Sequence, residues 1–142
     1  MDTYVFLPPV RKPTGGVAVL LQAASILRQA GYPVRVVPRE ARGAAFYDAA
    51  GLPVVNWDDA KPGSRDIWLV PEGWVNALAP GLNAGARCVV YVQNWAYLFS
   101  ALPPDVTWSK LPVSFLAVSH PVALFIEQSL SVWPPILRPG ID

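Results

Sequence analysis

Residues 3–37 read TYVFLPPVRKPTGGVAVLLQAASILRQAGYPVRVV, and this stretch decides the fold. It holds an apolar run (Thr3–Leu7), a loop rich in Pro and Gly, a long segment of mixed character and a second apolar run (Val34–Val37). Neither run alternates between apolar and polar residues, which predicts parallel strands covered on both faces. Between them, from about Gly16 to Ala30, Val17, Leu20, Leu21, Ala24 and Leu27 fall on one helical face. Val19, Ala23 and Ile26 widen that face and leave only Gln22, Ser25, Arg28 and Gln29 polar, so the segment predicts a helix packed on more than one side. Gly31 supplies the left-handed stop, and Tyr32-Pro33 turns the chain into the next strand. Strand, helix and strand at this spacing make a right-handed βαβ unit.

Outward from this unit the pattern repeats. Ile67–Val70, Cys88–Val92, Val113–Val118 and, with a weaker signal, Ile136–Leu137 are further apolar runs bounded by Pro, Gly or Asp. Helical segments lie between them: Val122–Leu130, opened by Ser119-His120-Pro121, Ala41–Ala50, closed by Gly51, and Gly73–Leu78, which Pro80 interrupts. The alternation predicts an α/β, Rossmann-like fold, with a mostly parallel sheet and helices on both faces. With 142 residues, the chain has room for one sizeable core, and the expectation is a single domain over residues 1–142 without internal repeat or linker.

Composition narrows the function classes. Hydrophobic residues make up 53% and charged residues 15%, so either the sheet is doubly buried or apolar surface is kept for a partner. The stretch Val17–Leu27 is broken by Gln22 and Ser25 and stops at Arg28, short of the roughly 20 apolar residues that a membrane span needs. Met1-Asp2-Thr3 is acidic and Pro8-Pro9 cuts the first apolar run, which argues against a signal peptide. With Cys88 as the single cysteine, these features predict a cytoplasmic protein. Net charge is +1 and the eleven basic residues are dispersed, so nothing points to nucleic acid. Several of the 16 prolines follow apolar runs, as strand terminators do.

Three segments carry candidate chemistry. Pro13-Thr14-Gly15-Gly16-Val17 sits after the first strand, where two glycines uncover backbone N–H groups at the positive end of a helix. It reads as a phosphate-binding loop at Gly15 and Gly16 or as a turn capped by Thr14. It matches neither the dinucleotide fingerprint nor a P-loop. Tyr91-Val92-Gln93-Asn94-Trp95-Ala96-Tyr97-Leu98-Phe99 begins on a strand and runs off its carboxyl end, where α/β sheets bind ligands. Amides at Gln93 and Asn94 beside Trp95 and Tyr97 suit a sugar ring, with aromatics packed over the sheet as the competing account. Asp66-Ile67-Trp68-Leu69-Val70-Pro71-Glu72-Gly73 ends the same way, and Glu72 either holds a ligand hydroxyl or favours the start of the next helix, the structural role being preferred.

His120 is the sole histidine, and Ser119 before it lacks the glycine-flanked elbow of a nucleophile. One Cys, one His and scattered acids give no metal site, and no cofactor is implied. Asp58-Asp59 reads as a solvated pair.

Together these segments resemble the N-terminal domain of a GT-B-fold glycosyltransferase, in particular glycosyltransferase family 4 and its rhamnosyltransferase-like relatives. The resemblance is carried by Thr14-Gly15-Gly16-Val17, Gly31-Tyr32-Pro33-Val34, Leu69-Val70-Pro71-Glu72-Gly73, Val90-Tyr91-Val92-Gln93-Asn94, Phe115-Leu116-Ala117-Val118-Ser119 and Arg138-Pro139-Gly140-Ile141-Asp142. In that family the last motif precedes the linker to a second domain. The resemblance therefore implies an acceptor-side half, with the donor-binding C-terminal domain absent from these 142 residues.

By that resemblance, Gln93, Asn94, Trp95, Tyr97 and Glu72 bind a sugar or glycolipid acceptor, and Gly15-Gly16 approaches the phosphates of a nucleotide-sugar donor. Many relatives carry a histidine where Gln93 stands. An amide is no acid or base near neutral pH, so the catalytic residues stay unassigned. If the first and fourth strands are neighbours, the acceptor sits between Gly15-Gly16 and Gln93–Tyr97. Apolar surface at Val17–Leu27 and Trp95–Phe99 implies self-association or peripheral membrane contact. Two other classes stay open: a stand-alone Rossmann-like module binding a small phosphorylated ligand without catalysis, and an interaction protein docking through an apolar face.

Overall fold

Five strands, β1 (Thr3–Leu7), β2 (Val34–Pro38), β3 (Ile67–Pro71), β4 (Arg87–Val92) and β5 (Val113–Ala117), form one all-parallel sheet in the order β2-β1-β3-β4-β5. The computed structural model describes residues 1–9, 15–40, 51–94, 96–100 and 102–138. The helices are α1 (Gly15–Gln29), α2 (Ala79–Ala84), α3 (Ala96–Ser100) and α4 (His120–Leu130), with short 3-10 turns at Trp57–Asp59, Val75–Leu78 and Trp108–Lys110. The architecture is α/β and Rossmann-like.

Single-residue parallel bridges extend the sheet on both sides. Val54 bridges to Val36, with Val36 N–H donating to Pro53 at 2.9 Å and Val55 N–H to Val36 at 3.0 Å. Ile136 bridges to Ala117, with Leu137 N–H donating to Ala117 at 2.8 Å. The sheet thus grows outward from β1 through β2 to Val54, and outward from β3 through β4 and β5 to Ile136. The direction reverses between β1 and β3, which is the topological switch point where such sheets leave a crevice. This corrects one expectation. The strand holding Cys88–Val92 is not the neighbour of β1, because β3 stands between them. Spacing along the chain gives no information on the direction of a crossover.

Both faces of the sheet carry a packed core, as the unbroken apolar runs require, but on the α1 face Val89 and Leu116 are only half-buried and Ser114 is exposed. On one face Val5, Leu7, Val34, Val36, Leu69 and Tyr91 pack with Val17, Leu20, Ala23 and Ala24 of α1. On the other, Phe6, Trp68, Val70, Val90 and Val92 meet Leu78, Leu98, Trp108, Val122 and Ile126. Helix α1 buries a narrower stripe than its composition suggests: Ala18 and Gln22 are exposed, and Ile26 keeps 40% of its surface. It packs on one side, and its flanks are only half covered.

Two glycines matter for the backbone. Gly31 sits at φ 94°, the left-handed stop that ends α1. At Gly81 a Cβ would lie 2.7 Å from Trp68 Cβ and 2.8 Å from Cys88 Sγ, so the missing side chain lets α2 lie directly on β3 and β4. Pro80 does not interrupt a helix here. It occupies the first turn of α2, where a missing N–H costs nothing. The segments Thr14, Ala41–Ala50 and Pro139–Asp142 lie outside the described residues.

Candidate functional site

A pocket of about 570 Å³ opens at the carboxyl edge of β1, β3 and β4. Each wall comes from a strand end or a helix start. Pro8 follows β1, Pro71-Glu72-Gly73-Trp74 ends β3, Gln93-Asn94 ends β4, Tyr97 projects from α3, and Val17 and Leu20 belong to the first turns of α1.

Among the described residues of this wall Glu72 is the only charged side chain, and it is 5% exposed. Its Oε1 accepts the Asn94 backbone N–H at 2.8 Å. The backbone N–H groups of Gln93 and of Glu72 itself also favour the charged form, yet burial dominates and pushes the carboxyl above its usual range. Three N–H groups aimed at one carboxylate leave acceptor capacity on its oxygens, which offer about four lone-pair sites. Glu72 therefore does two things at once: it joins the ends of β3 and β4, and it presents a desolvated acceptor to the pocket.

Asn94 is spent differently from what its sequence position suggests. Its Oδ1 accepts the Ala96 N–H at 3.0 Å and caps the start of α3, while its backbone N–H goes to Glu72. Gln93 is half-buried beside it, and Tyr97 is 56% exposed at the rim. Glu72, Gln93, Asn94 and Tyr97 are thus brought to one pocket. Trp95 lies outside the described residues. Gly15 and Gly16 open α1, two residues or fewer before Val17 on the pocket wall.

Sequence reasoning missed Trp74. Its indole is 38% exposed in the pocket and sits 6.0 Å, centroid to centroid, from the Phe6 ring. Phe6 in turn meets Trp57 edge-on at 5.4 Å, and the Arg39 guanidinium lies 4.9 Å over Trp57. The available signal was an aromatic two residues beyond a strand-ending carboxylate, the same edge that made Trp95 and Tyr97 candidates.

The remaining sequence candidates lie elsewhere. His120 opens α4 with its ring 5.3 Å from Trp133, and Asp58 and Asp59 are exposed in a 3-10 turn. Among the described residues no group of three or more His, Cys, Asp or Glu could hold a metal ion, and no helix is long and apolar enough to cross a membrane. Chemically, the pocket offers a fixed buried acceptor, an amide and two aromatic faces. No family model, no curated protein and no solved structure matches the chain.

Proposed function

We propose that the chain is the acceptor-side half of a sugar-transferring enzyme of GT-B build, binding a sugar or glycolipid acceptor at the carboxyl edge of its sheet. The observation that carries this reading is the joining of Glu72, Gln93 and Trp74 in one pocket beside the topological switch point. A sugar ring needs this combination of acceptor, amide and flat apolar face. The start of α1 at Gly15-Gly16 stands at the same edge, where donor phosphates held by a second domain would meet backbone N–H groups. The family assignment rests on the sequence resemblance.

Titration of the ¹⁵N-labelled chain with methyl β-glucopyranoside and, separately, with inorganic pyrophosphate tests the proposal. The glycoside is expected to shift the amides of Gly73, Trp74, Gln93 and Asn94, and pyrophosphate alone to bind weakly. Saturation by pyrophosphate with no response to the glycoside would overturn it in favour of a module that binds a phosphorylated ligand.

A further inference from the structure

We propose that an open trough on the α1 face of the sheet binds the alkyl tail of a free fatty acid, with the carboxylate head group on Arg87. The sugar-binding reading concerns the carboxyl edge, and this site stands or falls without it. From β3 the strands run outward through β4 to β5, opposite to the step from β1 to β2. Right-handed connections therefore place the segments that follow β3, β4 and β5 on the other face. Leu78, Leu98, Val122 and Ile126 pack there, and among the described residues α1 is the helix on this face. Val5, Leu69, Val89 and Ser114 stand in register across β1, β3, β4 and β5. They make a floor about 14 Å wide at the usual strand spacing. Its outer part is open, with Val89 half-buried and Ser114 exposed. Gly51, bonded to Arg28, and Val54, bridged to Val36, lie at the β2 edge with α1 between them and the trough.

Leu27 and Tyr32 wall the trough on one side and Trp133 with Ile136 on the other, enclosing about 680 Å³. Sites for one small molecule span about 300–1,000 Å³ and are mostly apolar with a few placed polar groups. Arg87 is such a group. It pairs with Ile67 at the start of β4 and, two residues before Val89, points to the same face. Its exposed guanidinium stands at the amino end of the trough, where a carboxylate can accept two parallel N–H bonds. Carboxylates on that edge are engaged elsewhere. Asp66 accepts the N–H groups of Asp2 and Gly63 at 2.8 and 2.7 Å, and Asp2 lies 3.9 Å from Arg35. An apolar trough with a cation at one end complements a tail that carries an anion at one end.

The test titrates the ¹⁵N-labelled protein, below micelle concentrations, with octanoate, decanoate and dodecanoate, and with dodecanol. Affinity is expected to rise about fourfold for each added methylene that the trough covers. The amides of Leu69, Val89, Ser114 and Trp133 should shift. Dodecanoate should bind about tenfold tighter than dodecanol, and Arg87→Gln should bring the two level. Ser114→Phe places a ring on the open floor and should abolish binding of both, while Ser114→Ala keeps it. Affinity that ignores tail length, or shifts confined to the carboxyl-edge pocket, would overturn the site. Equal binding of dodecanoate and dodecanol by the wild type, or full discrimination in Arg87→Gln, would overturn the role of Arg87. A dimer in light scattering that dodecanoate does not dissociate, with no shift at Ser114, would give the trough to a second copy and overturn the proposal. The order of tail lengths is read in the wild type, so a poorly folding variant does not shelter it.

Discussion

Glu72 Oε1 and the backbone N–H of Asn94 are 2.8 Å apart, so a carboxylate leaving β3 fixes the end of β4. The bond is charge-assisted and short, and it holds the floor of the pocket in one shape. Because Asn94 Oδ1 caps α3, the same residue passes that constraint on to the helix that carries Tyr97. One buried acid thereby positions residues from two strand ends and a helix.

A pH dependence follows. Burial raises the Glu72 carboxyl above its ordinary value of 4.5. The native state then holds this proton more tightly than the unfolded chain, so the associated stability is fully present below the unfolded value and is lost as pH rises through the raised native value. Denaturant titrations should show the stability of the wild type relative to Glu72→Gln falling as pH rises above 4.5 through the raised native value, and level on either side of that window. A relative stability that climbs with pH in that window would contradict the burial of the charge.

Gly81 and Gly73 should respond differently to alanine. A Cβ at Gly81 meets Trp68 Cβ and Cγ at 2.7 Å, and Trp68 is fully buried with its Nε1 donating to Ala77 at 2.7 Å. The indole has no room to yield, so Gly81→Ala is expected to cost about 1–3 kcal/mol by overpacking. At Gly73 the nearest atom, Tyr97 Cβ, is 4.0 Å away, and the same substitution should leave the denaturation midpoint close to wild type. Equal midpoints for the two variants would contradict the direct packing of α2 on β3.

The strands were legible because a doubly covered strand is an unbroken apolar run. Thr3–Leu7 matches its run at both ends, and the other four strands fall within one residue of theirs. The proline after two of the runs proved to be the last strand residue, Pro38 and Pro71. Val54 was illegible, since a single bridging residue has no periodicity, and with it went the outer edge of the sheet. The site was half legible. Residue type and strand-end position singled out Glu72, Gln93, Asn94 and Tyr97, but not that Asn94 is spent on a cap or that Glu72 is buried. The Glu72–Asn94 contact joins residues 22 apart in sequence and comes from the pairing of β3 with β4, whereas the cap is a local bond from the Ala96 N–H. Trp74 was passed over because, in sequence, it falls within Gly73–Leu78, which reads as a short helix, whereas the structure starts a 3-10 turn only at Val75.

Tyr91 ties the segment Val132–Leu137 to the sheet. Its hydroxyl donates to the Leu137 carbonyl at 2.6 Å from a fully buried ring, and burial pushes the phenol up to about 12. Tyr91→Phe removes that bond at a cost of about 1 kcal/mol, and should speed hydrogen exchange at the Leu137 amide, which bonds to Ala117. In the wild type the stability due to the raised phenol is fully present below 10.0 and lost as pH rises through about 12. Unchanged exchange at Leu137 in the variant would show that the parallel bridge to Ala117 holds the segment without Tyr91.

The site itself is tested by substitutions chosen for what each side chain touches. Asn94→Ala is ambiguous, because it removes the Ala96 cap along with any ligand contact and is expected to loosen α3. Asn94→Asp keeps an oxygen for that cap but places a second carboxylate beside Glu72, so it should preserve α3 while weakening binding of a neutral glycoside. Trp74→Ala removes a half-exposed ring whose ring partner among the described residues is Phe6, so its stability cost should be small beside its effect on binding. A loss of about tenfold in affinity for methyl β-glucopyranoside is expected from Trp74→Ala, comparable to the loss of one stacking or hydrogen-bonding partner. Asp58→Ala and Asp59→Ala, both exposed in the Trp57–Asp59 turn and away from the pocket lining, should change neither binding nor stability. Calorimetry and thermal melts on the same preparations separate the two effects. If the aspartate variants lost binding while Trp74→Ala kept it, the ligand would lie over β2 and Trp57, and the pocket between β1, β3 and β4 would have to be given up as its site.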